Sequence, residues 1–400
     1  MLRSLFSGIS GLRSHQTMLD VTGNNIANVN TTGFKSSQTQ FQDTLSQVLQ
    51  NAGGAQQGTG GTNPAQVGLG VRVAGITTNF TQGASQITGR STDMMIQGDG
   101  FFMVRKGTES YYTRAGSFDF DATGQMVLPG EGALVQGWAA VNGVVDTNGP
   151  LSDLRVPAGT LMAAVATKSA SYEGNLDAAA ATGTVLHRTI DVFDALGNSR
   201  ELSLDFTKSA TGWSLIADDG SGPVDAGDLT FDPTTGALTG LQNQGATPTS
   251  LTIGGVDVDV SALTGFSGLD TVKAKNQDGQ SAGTLQSFAL GADGTITGAF
   301  SNGLKQTIGR LALGSFTNPS GLEKAGGSLF RTSVNSGDPQ VGAAGTGGRG
   351  SLAGGALEMS NVDLSSEFTN LIVAQRGFQA NSRVITTSDE VLQELVNLKR

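Results

Sequence analysis

Both ends of this 400-residue chain carry an apolar residue at every seventh position. Leu5, Leu12, Leu19 and Ile26 do so near the N-terminus, and Leu364, Leu371, Phe378, Ile385 and Leu392 near the C-terminus. A seven-residue apolar repeat marks the seam of a helix that packs along another helix. The stretch between the two repeats is rich in Gly, Thr and Asp and alternates in short runs, as strands and turns do. The expected fold is α+β and multidomain: paired N- and C-terminal α-helices with a coiled-coil-like core, and two nested, mainly-β domains.

Residues 2 to about 30 read as an amphipathic helix, with Leu2, Leu5, Ile9, Leu12 and Leu19 on one stripe. Gly8, Gly11 and Gly23 weaken it, each by about 1 kcal/mol relative to Ala. Gly33, followed by Phe34, is the expected stop. Asp363 is placed to cap the C-terminal helix, and Lys399 and Arg400 lie where its dipole favours cations. Gly377 falls in mid-helix, where close backbone packing is the usual reason for a glycine. Burying a Leu or Phe contributes about 1.5–3 kcal/mol, whereas ordering each residue's backbone costs about 1–2 kcal/mol. With one residue in three or four buried, neither helix meets that cost alone, so folding is expected to be coupled to association.

The domain reading is nested. Residues 1–50 with 356–400 form a terminal helical core, and 69–150 with 286–341 an inner β domain, into which 151–285 is inserted as an outer β domain. The Gly-rich stretches 51–68 and 342–355 read as linkers that separate the helices from the β blocks. Strand-like runs include Val71–Ile76, Met94–Val104 and Gln125–Leu128. Ile190–Phe193 and Leu202–Phe206 alternate around Leu196-Gly-Asn-Ser, which predicts a hairpin. Trp213 and Leu215 begin the next strand, and Gly291-Ala-Asp-Gly reads as a turn.

Composition removes several function classes. The net charge of −10 and the absence of basic runs argue against nucleic acid. There is no Cys, so disulfides and thiolate metal sites are excluded. Only His15 and His187 could serve imidazole chemistry. No apolar stretch is long enough to span a bilayer, and the first residues lack a cleavable secretory signal.

The sharper site candidates give way to structural readings. Asp119-Phe-Asp-Ala-Thr-Gly resembles the start of a calcium loop, but its twelfth position is Gly130, where a bidentate Glu is needed. It reads as a β-turn. Gly68-Leu-Gly-Val-Arg-Val-Ala-Gly misses dinucleotide spacing. Asp218-Asp219 reads as a solvated turn rather than an acid–base pair. His15 is a polar residue beside a packing seam, with a proton switch as the less favoured alternative, and His187 a surface residue. No catalytic, cofactor-binding or metal constellation emerges.

Longer strings at the two ends identify a family. Ser7-Gly-Ile-Ser-Gly-Leu with Leu19-Asp-Val-Thr-Gly-Asn-Asn-Ile-Ala-Asn-Val-Asn-Thr-Thr-Gly-Phe-Lys closely resembles the N-terminal signature of the bacterial flagellar rod and hook protein family. Residues 361–387, from Asn361-Val-Asp-Leu-Ser-Ser-Glu-Phe to Arg383-Val-Ile-Thr-Thr, resemble the matching C-terminal signature. Ile96-Gln-Gly-Asp-Gly-Phe-Phe-Met-Val and Tyr112-Thr-Arg-Ala-Gly-Ser-Phe resemble the family's shared β domain. Thr189-Ile-Asp-Val-Phe-Asp-Ala-Leu-Gly-Asn-Ser looks like the outer insert of the hook branch, with the match weakest over about 217–285.

The resemblance implies a non-enzymatic subunit that self-assembles into the tubular hook, a flexible universal joint carrying torque from rod to filament. It implies partners: copies of the same chain, the distal rod protein, the hook cap and the hook–filament junction proteins. It also implies passage through the flagellar type III export apparatus to an extracellular place, with no cleaved signal. Leu5, Leu12, Leu19, Ile26, Leu364, Leu371, Phe378, Ile385 and Leu392 would carry polymerisation. Asn24, Asn25, Asn28 and Asn30 would cap or hydrogen-bond between subunits, with an intrachain role an equal alternative. The glycines of the two linkers would let rigid β bodies shift on a helical core. A distal rod subunit is the rival within the family. A glycan-binding, adhesin-like β protein with coiled-coil ends is the rival outside it.

Overall fold

The structure, a computed structural model, describes residues 2–54, 58, 60–156, 159–242 and 250–397. The described residues are mostly β, with one long helix at each end: α1 (Leu2–Ala27) and α2 (Leu364–Asn397). The dipole reading of Lys399 and Arg400 lies outside the described residues. The chain divides into two compact units, Met1–Pro157 with Phe288–Thr297 and Thr307–Arg400, and Ala158–Ser287 with Gly298–Gln306.

Local chemistry sets both helix ends. The Asn28 side chain donates to the Asn24 carbonyl (2.9 Å) and to Asn24 Oδ1 (2.7 Å), closing the last turn of α1. Gly33 then takes φ +67°, and a Cβ there would lie 2.3 Å from the Ala115 nitrogen, so only glycine fits. α2 begins as its cap residue anticipates. Asp363 Oδ1 accepts the Ser365 N–H (2.9 Å), and Oδ2 accepts the Ser366 hydroxyl (3.0 Å).

In the first unit, strand Phe101–Lys106 forms a hairpin with Glu109–Thr113 and also pairs with Leu313–Ser315. Leu329–Arg331 adds to the hairpin's far edge. The alternating inward side chains Phe101, Met103, Tyr112, Trp138, Phe316 and Phe330 form a core. Its rings pack edge to face, Tyr112 on Phe316 at 4.7 Å and Phe80 on Phe101 at 5.4 Å.

Neither expected linker is a slack tether. Ser37–Asp43 pairs with Val71–Thr78, and the hairpin continues outward as Ser46–Gln50 against Ala65–Gly68, with a further bridge between Gly53 and Thr62. Most of 51–68 is therefore the far end of a β-ribbon, residues 55–57 and 59 lying outside the described set. The stretch 342–355 is packed. Ser351–Gly354 pairs with Met94–Gln97, and Leu352 is buried. Gly345, Gly347 and Gly348 take φ +74°, +57° and +78°, so they supply left-handed turns rather than freedom. Composition cannot separate these two uses of glycine.

Among the described residues of the second unit, two sheets carry the core. One is the antiparallel series Val185–Phe193, Ser199–Lys208, Trp213–Asp218, Val224–Phe231 and Leu238–Gln242. The other contains Ser169–Asn175 paired parallel with Val256–Thr264. Tyr172, Leu202, Phe206, Trp213, Leu215 and Val258 lie in its core. The hairpin expected around Leu196 is present, with Phe193 opposite Ser199.

Candidate assembly surface at the chain ends

α1 and α2 run antiparallel along each other, but not on the seam the leucines mark. The buried positions of α1 are Gly8, Gly11, Ser14, Thr22 and Asn25. A Cβ at Gly8 would lie 3.2 Å from Ile385 Cγ1, and one at Gly11 would lie 2.5 Å from Asn381 Oδ1. His15 fills the space over Gly377, and Asn25 donates to Glu367 Oε1 (2.9 Å). The contact thus uses small and polar residues of α1 rather than its leucines. At 3.6 residues per turn the buried positions are centred about 90° from the leucine stripe. A scan for apolar residues misses such a face, although glycines at 8 and 11 were its visible sign.

Leu5, Leu12, Leu19 and Ile26 are half-buried on the flank of that contact, while Phe6 and Ile9 are exposed at 66% and 39%. On α2, Leu371, Ile385 and Leu392 are half-buried, Ile385 lying against Gly8, and Ala374 is fully buried. Leu364 and Phe378 lie mainly outward, at 39% and 37% exposed.

Larger apolar groups of α2 lie outside the seven-residue register. Phe368, Ile372, Val373, Val384, Val391 and Leu395 are all exposed. Helical geometry places Leu364, Phe368 and Ile372 on one side of the α1 contact, and Val373, Val384, Val391 and Leu395 on the other. An α2 that is apolar on both flanks is a helix with more than one neighbour to cover.

The asparagines separate into two groups. Asn25 is 1% exposed and its polar atoms are used within the chain, donating to the Ser37 carbonyl (2.8 Å) and accepting the Ser37 N–H (3.0 Å). Its intersubunit reading is therefore replaced by an intrachain one. Asn24 and Asn30 are exposed, and half-buried Asn28 caps α1 and accepts the Thr31 hydroxyl at 3.0 Å.

The helices are locked to the β body by a buried charge cluster that no spacing rule signals. Lys35 Nζ lies 2.6 Å from Glu358 Oε1, both side chains being fully buried, and donates to the Thr81 carbonyl at 2.7 Å. The Gly83 N–H donates to the same Oε1 (2.9 Å), and Arg114 Nη1 lies 3.4 Å from Oε2. Burial pushes the Lys35 amine below the usual lysine range even beside Glu358. Asn361 reinforces the junction, accepting the Ser36 N–H and donating to the Asn79 carbonyl, both at 2.8 Å. Segments 33–37 and 356–361 thus leave the two helices already fastened, contrary to the expectation of separating linkers.

Elsewhere, Asp121 Oδ1 accepts the Thr123 and Gln125 N–H groups, each at 2.8 Å, as a turn does. Asp219 departs from its solvated reading: it is 8% exposed and lies 2.7 Å from Arg200 Nη1. His187 is exposed beside Asp205. Among the described residues no cluster of three metal-ligating side chains occurs, and no helix is long and apolar enough to cross a membrane.

Four family models match along the chain. They are described as flagella basal body rod protein (residues 5–35), flagellar hook protein FlgE/F/G D1 domain (95–170), flagellar basal body protein FlaE D2 domain (160–280) and flagellar basal body rod FlgEFG protein C-terminal (353–398). The flagellar hook protein FlgE of Borreliella burgdorferi is 39% identical, with 100% of each chain covered. That of Salmonella typhimurium is 34% identical over 99% of this chain and 100% of its own. The flagellar basal-body rod protein FlgG of Bacillus subtilis is 34% identical with 100% of each covered.

Proposed function

The chain belongs to the flagellar hook and rod protein family, and from that membership we propose that it is the structural subunit of a flagellar hook. Copies polymerise through their terminal helices into a tube that serves as a flexible joint between rod and filament. The observation that carries this reading is α2, apolar on both flanks of its contact with α1. In a tube, each α1–α2 pair would pack coiled-coil-like against neighbouring pairs, burying Phe6, Ile9, Phe368, Ile372, Val384, Val391 and the half-covered Leu5, Leu12, Leu19, Ile26 and Leu371. At about 1.5–3 kcal/mol for each large apolar side chain, a few such residues supply association energy that an isolated subunit lacks.

The role is mechanical and not enzymatic. The distal rod, cap and hook–filament junction proteins would lie at the ends of the tube. Export through the flagellar type III apparatus suits a chain with no Cys, because no disulfide constrains threading. Flexibility would arise from sliding between low-charge surfaces of neighbouring copies, since the stretch 342–355 is packed.

Leu371→Asp tests the reading: the β units should remain folded while polymerisation is lost, and tubes formed by this variant would refute it. A rod subunit is the second reading, favoured by the full-length similarity to FlgG. Curved, bendable tubes distinguish the hook from straight, stiff rods.

A further inference from the structure

The cluster that fastens the helices leaves one cation poorly matched. Glu358 Oε1 is taken by Lys35 and the Gly83 N–H, so the charge of Lys35 is answered at 2.6 Å. Arg114 is 2% exposed, yet its contact with Oε2 is 3.4 Å long, and its buried Nε has no hydrogen-bond partner among the described residues. A guanidinium carries five donors, and burying one without acceptors is costly.

This side chain lines a cavity of about 400 Å³. Phe80, Phe101 and Phe316 provide apolar wall, with the Arg114 guanidinium 5.3 Å from the centre of the Phe101 ring. Ser315 and Thr317 line another side, and Gly347 and Gly348 supply backbone at the rim. That rim is tied down by hydrogen bonds. Arg349 donates from Nε to the Ala343 carbonyl (3.2 Å) and from Nη2 to the Thr346 hydroxyl (3.0 Å), and the Gly350 N–H donates to the Asp99 carbonyl (2.7 Å). Asp99 also lines the cavity; its exposed carboxylate acts on the Arg114 charge without forming a direct ion pair, and it opposes an incoming anion.

We propose that this cavity is a carboxylate-binding site, in which Arg114 receives a single carboxyl group between aromatic walls. Its planar fork matches the two oxygens of a carboxylate, and the room is enough for a short acidic side chain or a small organic acid. The site is independent of the assembly reading: it would exist in a lone subunit, and its failure leaves the helix surfaces untouched.

The test is the Arg114 Nε–H resonance of the full-length ¹⁵N-labelled chain, titrated with sodium acetate and, at matched ionic strength, with sodium chloride. The site predicts a saturable shift with acetate alone. Asp99→Asn removes the opposing charge and should lower the midpoint about two- to fivefold. Thr317→Trp fills the cavity and should abolish the response while the Lys35–Glu358 pair stays intact. No shift up to about 100 mM acetate, far weaker than millimolar binding, overturns the proposal. An equal shift with chloride, or an unchanged response in Thr317→Trp, does so as well. The same resonance in assembled material without acetate then names the source. A bound-type position means an acidic side chain of a neighbouring copy, and a free-type position means a small acid from solution.

Discussion

The imidazole of His15 occupies the space that a side chain at residue 377 would need: a Cβ on Gly377 would lie 2.4 Å from His15 Cε1. The ring also meets Phe41 edge to face at 5.7 Å. One glycine in the middle of a 34-residue helix is thereby explained by one residue of the other terminal helix. Gly377→Ala gains helix propensity, about 1 kcal/mol, but forces the ring aside at an overpacking cost of about 1–3 kcal/mol. The helical signal should melt earlier in denaturant, and adding His15→Ala should restore it. A double-mutant cycle with no coupling would show that the two residues do not share the space.

The cluster at Lys35 predicts an asymmetry. Glu358→Ala strands two buried cations, Lys35 and Arg114, and should cost about 3–5 kcal/mol. Lys35→Met leaves Glu358 with Arg114 and the Gly83 N–H, so it should cost clearly less. Denaturation of the two variants side by side checks the order.

Tyr172 is fully buried in the second unit and its hydroxyl has no partner among the described residues. Burial pushes its phenol above the usual tyrosine range. Tyr172→Phe removes an unsatisfied polar group at almost constant shape and should stabilise that unit by about 1–2 kcal/mol. A lower melting temperature would mean the hydroxyl is bonded.

Asp194 closes the turn between the first two strands of the antiparallel sheet. The Asn198 side chain, and then the Asn198 N–H, hold its carboxyl below the usual carboxylate range. The folded state therefore binds this proton less readily than the unfolded chain. The stabilisation is present above the unfolded pKa and is lost as pH falls through the folded one. Asp194→Asn should flatten the acid limb of the stability profile of this unit, and an unchanged slope would contradict the assignment.

What could be read from the sequence was local. Asp363 as a cap, the turn at Leu196 and the strand runs depend on neighbours a few residues away, and the family signatures lie in contiguous strings. The face joining α1 to α2 was hidden because Gly8, Gly11, Ser14 and Thr22 carry no apolar signal. Lys35 and Glu358 meet across 323 residues, a separation at which periodicity says nothing. The stretch 342–355 was misread because glycine at positive φ and glycine in a tether look alike in composition. The apolar flanks of α2 outside the heptad were missed for a related reason: a search for one seam stops at one seam.

Electron microscopy of the chain concentrated in salt, beside Phe368→Asp/Val391→Asp, tests the assembly surface most directly. One exposed apolar side chain is replaced on each flank of α2. The unsubstituted chain should form curved tubes, while the double variant should stay dispersed with its β signature and its α1–α2 contact retained. Tubes of the same form from the double variant would contradict the account.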